Sequence, residues 1–169
     1  MPSDLDFENL VSLYYRDLYR FAFSMTRSEA DASDLTQQTF YIWAKKGHQL
    51  REPANVKSWL FTTIHREFLQ WRRRQSRFSN EDWTAVADNL SSVSPTAVNR
   101  IDARALVQLL GQIDESFRAP LVLYFMEDLS YKEIAEMLEI PLGTVQSRIS
   151  RGKAHLYRLL IHATGGENE

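Results

Sequence analysis

"SYKEIAEMLEIPLGTVQSRIS", residues 130–150, is the stretch on which the fold turns. Ser130 and Glu133 have the spacing of a capping box, in which the amide of Glu133 donates to the serine hydroxyl and the serine amide donates back to the Glu133 carboxylate. A helix therefore starts here. Ile134, Ala135 and Leu138 fall on one face of it, residues 139–141 with Pro141 form a tight turn, and a second helix over residues 142–158 sets Val145 and Ile149 one turn apart. Two helices joined this way read as a helix-turn-helix, whose second helix enters a major groove. Thr144, Gln146, Ser147, Arg148 and Arg151 project away from the buried pair and are the candidates for phosphate and base contacts, with Lys153 and Arg158 nearer the backbone. Helix pairs of this kind also form plain bundle corners, but the polar outer face favours DNA.

Working upstream, Leu106, Leu109, Leu110 and Ile113 form an apolar stripe, and Pro120 is tolerable near the start of a further helix through Glu127. Residues 76–99 lose all periodicity and hold five serines, which reads as a flexible linker on which Trp83 could still dock. Before it, Leu10, Leu13, Tyr14, Leu18 and Phe21 mark one helix and Leu35, Phe40 and Trp43 a second. Residues 47–57 read as a loop, and Leu60, Phe61, Ile64, Phe68 and Trp71 mark a third helix ending in Arg72, Arg73 and Arg74. No strand pattern stands out. The expected fold is all-α: two small helical domains, residues 1–75 and 100–169, joined by the linker 76–99, with the C-terminal one a helix-turn-helix domain of winged-helix-like or four-helix form.

With 44% apolar residues in a chain of 169, there is enough material for real cores, and the absence of cysteine excludes disulfides and thiolate metal ligation and suits a reducing cytoplasm. No apolar run is long enough to span a membrane, and the opening "MPSDLDFENL" has no signal-like charge pattern. The net charge is −2, yet residues 41–80 carry nine Lys and Arg against two Asp and Glu. One dense basic segment in a mildly acidic chain suits a polyanion bound at one place. A Gly-rich phosphate loop, a metal-ligand cluster and a nucleophile motif are all missing, so neither an enzyme nor a cofactor or metal is expected. Asp34 with Glu29 or Asp31 resembles an acid pair, but acidic residues near a helix start already complement its dipole. His48 and His65 are isolated and read as ordinary polar residues.

"DLTQQTFYIW", then "KSWLFTTIHREFLQWRRR", then "ESFRAPLVLYFMEDLSYKEIAEMLEIPLGTVQSRISRGKAHL" together resemble the bacterial extracytoplasmic-function (ECF) sigma factors of the sigma-70 family. The likeness covers nearly the whole chain, in a specific order. It implies a protein that binds core RNA polymerase, recognises two promoter elements and helps open the DNA. It places Asp34, Gln37 and Gln38 against the polymerase core, and Lys57, Arg66, Gln70, Arg72, Arg73 and Arg74 on the minus-ten DNA. Thr144, Gln146, Ser147, Arg148, Arg151 and Lys153 fall to the minus-thirty-five DNA. Trp59 and Trp71 stack on bases or pack in the core. An anti-sigma factor is the usual partner in the family.

Two departures stand out. Where many relatives carry Asn and Asp, this chain has Arg66 and Gln70, so base preference does not transfer. Where relatives carry two glutamates on the polymerase-binding helix, it has Ser33 and Gln38, and the helix is expected to expose Ser33, Thr36, Gln37 and Gln38. Phosphorylation by a Ser/Thr kinase at Ser33, Thr36 or Thr39 would restore the missing charge. The alternative to a sigma factor is a helix-turn-helix operator-binding regulator whose residues 1–75 sense a signal or dimerise, and a pure interaction module is a third reading.

Overall fold

A computed structural model describes residues 4–47, 55–78 and 103–164. Seven α-helices follow in chain order among them: α1 (Asp4–Thr26), α2 (Glu29–Lys46), α3 (Val56–Phe78), α4 (Ala103–Leu110), α5 (Glu115–Met126), α6 (Tyr131–Leu138) and α7 (Leu142–Thr164). His48, Trp83 and most of the expected linker lie outside the described residues. The linker's first three residues, 76–78, continue α3, and Lys57 of the expected loop already lies in that helix.

Local chemistry sets the helix ends. Arg27 adopts a left-handed backbone, φ 57°, that ends α1. Ser28 then caps α2, its hydroxyl accepting from the Asp31 amide at 3.2 Å. Asp114 caps α5 and accepts from the Ser116 amide at 3.0 Å. That helix begins five residues before Pro120, which sits buried in its second turn and forfeits one backbone hydrogen bond. The capping box of α6 is formed, with the Ser130 amide 2.8 Å from the Glu133 carboxylate and the Glu133 amide 3.1 Å from the Ser130 hydroxyl. Glu139 ends that helix in the left-handed region, φ 57°, and residues 139–141 make the expected turn into α7.

The first three helices bury Leu18, Phe21, Leu35, Phe40, Leu60, Phe61, Ile64 and Phe68 against one another. Leu13, expected on this stripe, is 68% exposed. The last four bury Leu110, Leu121, Leu123, Ile134, Val145 and Ile149. No strand occurs among the described residues, so the C-terminal half is a four-helix unit without a wing. The helix-turn-helix is held from behind where α7 crosses α5 at Gly152: a Cβ there would lie 2.6 Å from Leu121 Cδ1. Only a glycine permits that approach.

The two halves expected from the sequence pack against each other, α1 on α4 and α5, and α3 on α6. Their buried residues form one continuous apolar cluster. Arg118 of α5 clasps the end of α1, donating from Nη1 to the carbonyls of Ser24 at 3.1 Å and Met25 at 3.2 Å, where the helix dipole is negative. No helix among the described residues is long and apolar enough to cross a membrane.

Candidate nucleic-acid interface

A helix repeats every 3.6 residues, so residues 32, 35, 36, 39 and 40 of α2 share one face, and all five are buried. This corrects the expectation for Thr36 and Thr39. Both are fully enclosed, Thr36 Oγ1 donating to the Ala32 carbonyl at 2.7 Å and Thr39 Oγ1 to the Leu35 carbonyl at 2.8 Å, so neither hydroxyl is open to a kinase in this fold. Ser33 is half-buried and accepts from Gln37 Nε2 at 3.2 Å. Asp34, Gln37 and Gln38 are exposed on the opposite side. Tyr41 continues their row one turn on, 53% exposed with the Lys45 ammonium 4.4 Å above its ring. Sequence reasoning missed it, although its position seven residues after Asp34 was the available signal.

On α3, Arg66, Gln70, Arg72, Arg73 and Arg74 are exposed and Lys57 is half-buried. Both tryptophans are half-buried and packed: Trp59 meets Trp43 edge-on at 5.1 Å, and Trp71 stacks on Phe68 at 5.7 Å. That geometry assigns them to packing. His65, beneath Arg66, meets the Phe21 ring edge-on at 6.3 Å. Burial lowers its pKa to about 4, with Glu139 raising it and Arg148 lowering it further, so it is neutral at pH 7.

On α7, Gln146, Ser147, Arg151 and Arg158 are exposed, while Thr144 and Arg148 are half-buried. Lys153 is turned inward, its ammonium 4.5 Å above the Tyr124 ring, along an apolar groove of about 290 Å³ with Leu106, Phe125 and Tyr157. The exposed side chains supply amide and guanidinium groups that can donate to phosphate and base edges.

Three of the basic residues of α3 are paired with carboxylates of the C-terminal half, two of them while still exposed. Lys57 Nζ lies 3.1 Å from Glu127, Arg72 Nη1 lies 2.9 Å from Glu115, and Arg66 pairs with Glu139 in the turn of the helix-turn-helix. Arg148 of α7 adds its field to His65 on α3, so the two candidate DNA surfaces meet at this junction.

Residues 10–78 match sigma-70 region 2, and residues 103–156 match sigma-70 region 4. Over 92% of its length the chain is 34% identical to the ECF RNA polymerase sigma factor SigE of Mycolicibacterium smegmatis, and it spans 61% of that relative's length. It is 31% identical over 96% of its length to the ECF RNA polymerase sigma factor SigM of Mycobacterium tuberculosis, covering 81% of it. Among solved structures, the sigma factor RpoE of Bartonella quintana in complex with the anti-sigma factor NepR superposes with a TM-score of 0.72 at 26% identity, over 92% of this chain and 96% of that one.

Proposed function

Because the chain belongs to the ECF RNA polymerase sigma factors of the sigma-70 family, we propose that it binds core RNA polymerase, directs it to promoters and helps open the DNA. The observation that carries this is the pairing, in one chain and in family order, of a dense basic helix with a helix-turn-helix whose outer face is polar. Residues 1–75 and 100–169 are its two working domains, with 76–99 as the tether. The exposed row Asp34, Gln37 and Gln38 docks on the polymerase, and Tyr41 extends that footprint.

Opening a duplex requires the displaced backbone to be held by positive charge. Arg66, Arg72, Arg73, Arg74 and Lys57 supply it at the minus-ten element, and the Gln70 amide adds an uncharged donor beside them. Gln146, Ser147, Arg151, Thr144 and Arg148 read the minus-thirty-five element, and Lys153 acts from the groove behind them. The family is one of transcription factors rather than enzymes, and this chain makes and breaks no covalent bond. It works in the cytoplasm, where core polymerase and DNA are.

RpoE was solved with an anti-sigma factor, and we assign this chain a partner of the same kind. Where charge is to be added to the polymerase-binding helix by a kinase, Ser33 is the hydroxyl within reach. The test is reconstitution with core RNA polymerase on genomic promoter fragments: stoichiometric co-elution and promoter-specific transcripts are expected. Duplex binding without any association with polymerase would overturn the assignment in favour of an operator-binding regulator.

A further inference from the structure

With Val145 and Ile149 buried, the outer face of α7 consists of two ridges at four-residue spacing: Leu142, Gln146 and Ser150, and beside them Gly143, Ser147 and Arg151, all exposed. Thr144 and Arg148 lie on the half-buried flank of the second ridge. Gln146, Ser147 and Arg151 are the residues assigned to DNA on this face. Leu142 stands on the same face, at the first position of the helix, with no assigned part.

Leu142 is 45% exposed, whereas Ile140 before it and Val145 and Ile149 after it all pack in the continuous apolar cluster. A Cβ built on the adjacent Gly143 would meet nothing within 4 Å beyond its chain neighbours, so this side of the first turn is open to an incoming duplex. Side chains on a helix lean towards its N-terminus, and a recognition helix brings its N-terminal residues to the base edges. Leu142 is therefore the leading side chain of α7. The chain carries no charge from Ile140 to Ser147, so this end has no cation with which to seek phosphate. An isobutyl group neither donates nor accepts a hydrogen bond, and the apolar group displayed on the major-groove edges is the C5 methyl of thymine.

We propose that Leu142 is a specificity residue of the recognition helix, selecting thymine in the minus-thirty-five element by apolar contact with its C5 methyl. Four residues of helix rise about 6 Å, so this thymine lies about two base-pair steps from the base met by Gln146. The proposal rests on the reading of α7 as the recognition helix.

The chain reconstituted with core RNA polymerase tests it. Duplex pools randomised across the minus-thirty-five region are prepared once with thymidine and once with deoxyuridine, which keeps every hydrogen-bonding group of thymine and lacks only the methyl. A single round of selection is read by sequencing. The unaltered chain is expected to enrich thymine about fourfold at one position of the first pool, the effect of one buried methyl-sized group, and to lose that enrichment in the second. Leu142→Ala should lose the preference at that one position and keep the others, while Leu142→Met, which retains an apolar contact, should keep it. Because Leu142 lies outside the core, both variants should melt at the temperature of the unaltered chain.

Equal enrichment of thymine and uracil, or an unaltered preference in Leu142→Ala, would overturn the methyl contact while leaving α7 as the reading helix. A uniform loss of affinity across all sequences in Leu142→Ala would assign the residue to packing and overturn the contact as well. Where Gln146→Ala and Arg151→Ala also leave every base preference in place, the recognition-helix reading itself falls, and the contact with it.

Discussion

Lys57 at the start of α3 and Glu127 at the end of α5 form an ion pair 3.1 Å long across 70 residues of sequence, and the same ammonium lies 3.5 Å from the Glu127 carbonyl. One end of this bond is nearly sealed from water.

Removing the cation should therefore leave a buried charge without its counter-ion. Lys57→Met is expected to destabilise the fold by about 1 to 3 kcal/mol, less than for a fully buried pair because Lys57 keeps some water. Adding Glu127→Gln should recover much of that loss. Urea unfolding of the two single variants and the double variant gives the coupling directly.

His65 sets an acid limit on stability. Its folded pKa of about 4 lies below the ordinary 6.5, so its contribution is complete above pH 6.5 and is lost as the pH falls towards 4. The loss should approach about 3 kcal/mol, at about 1.4 per pKa unit. Glu127 acts with the opposite sign: its raised pKa favours the fold in acid, and that contribution is lost as the pH rises through the raised value. His65→Gln should remove the decline between pH 6.5 and 4, and an unchanged unfolding curve across that window would show the imidazole to be wet.

At the α5–α7 crossing, Gly152→Ala places a methyl 2.6 Å from Leu121 Cδ1 and 3.2 Å from Phe117 Cβ. The helix propensity gained by alanine is smaller than the overpacking, so a net loss of about 1 to 2 kcal/mol is expected in thermal unfolding.

The two hydroxyls of α2 separate by their burial. Thr36→Asp should unfold the N-terminal half, at a cost of about 3 kcal/mol or more, because a carboxylate would replace a hydroxyl enclosed by apolar neighbours. Ser33→Asp should leave the circular dichroism and melting temperature unchanged. Thr36→Val, which keeps the shape, should retain transcription; its loss would mean that the hydroxyl is used after all.

These burials also mark what the sequence could convey. The capping box at Ser130 and Glu133, the turn at 139–141 and the apolar pairs of α7 were legible because each is a contact within one or two helical turns. Thr36 was misjudged because threonine counts as polar in a pattern, whereas inside a helix its hydroxyl can bond to a carbonyl four residues back and be buried without loss. The cross-half pairs were not legible. Arg66 and Glu139 are 73 residues apart, and no periodicity connects them. The position of Lys153 over the Tyr124 ring was not legible either, because its charge shows in the sequence and a ring on another helix does not.

The clasp of Arg118 on the last carbonyls of α1 differs in kind from the three carboxylate pairs. A guanidinium stays charged at any cellular pH and a carbonyl does not titrate, so acid has no purchase on it, and being half-buried it is screened little by salt. Ionic strength can loosen the exposed Arg66–Glu139 and Arg72–Glu115 pairs but not this clasp. Separating α5 from α1 therefore means breaking two hydrogen bonds that neither protons nor salt weaken much, so the clasp holds across the solution conditions that would disturb the exposed ion pairs.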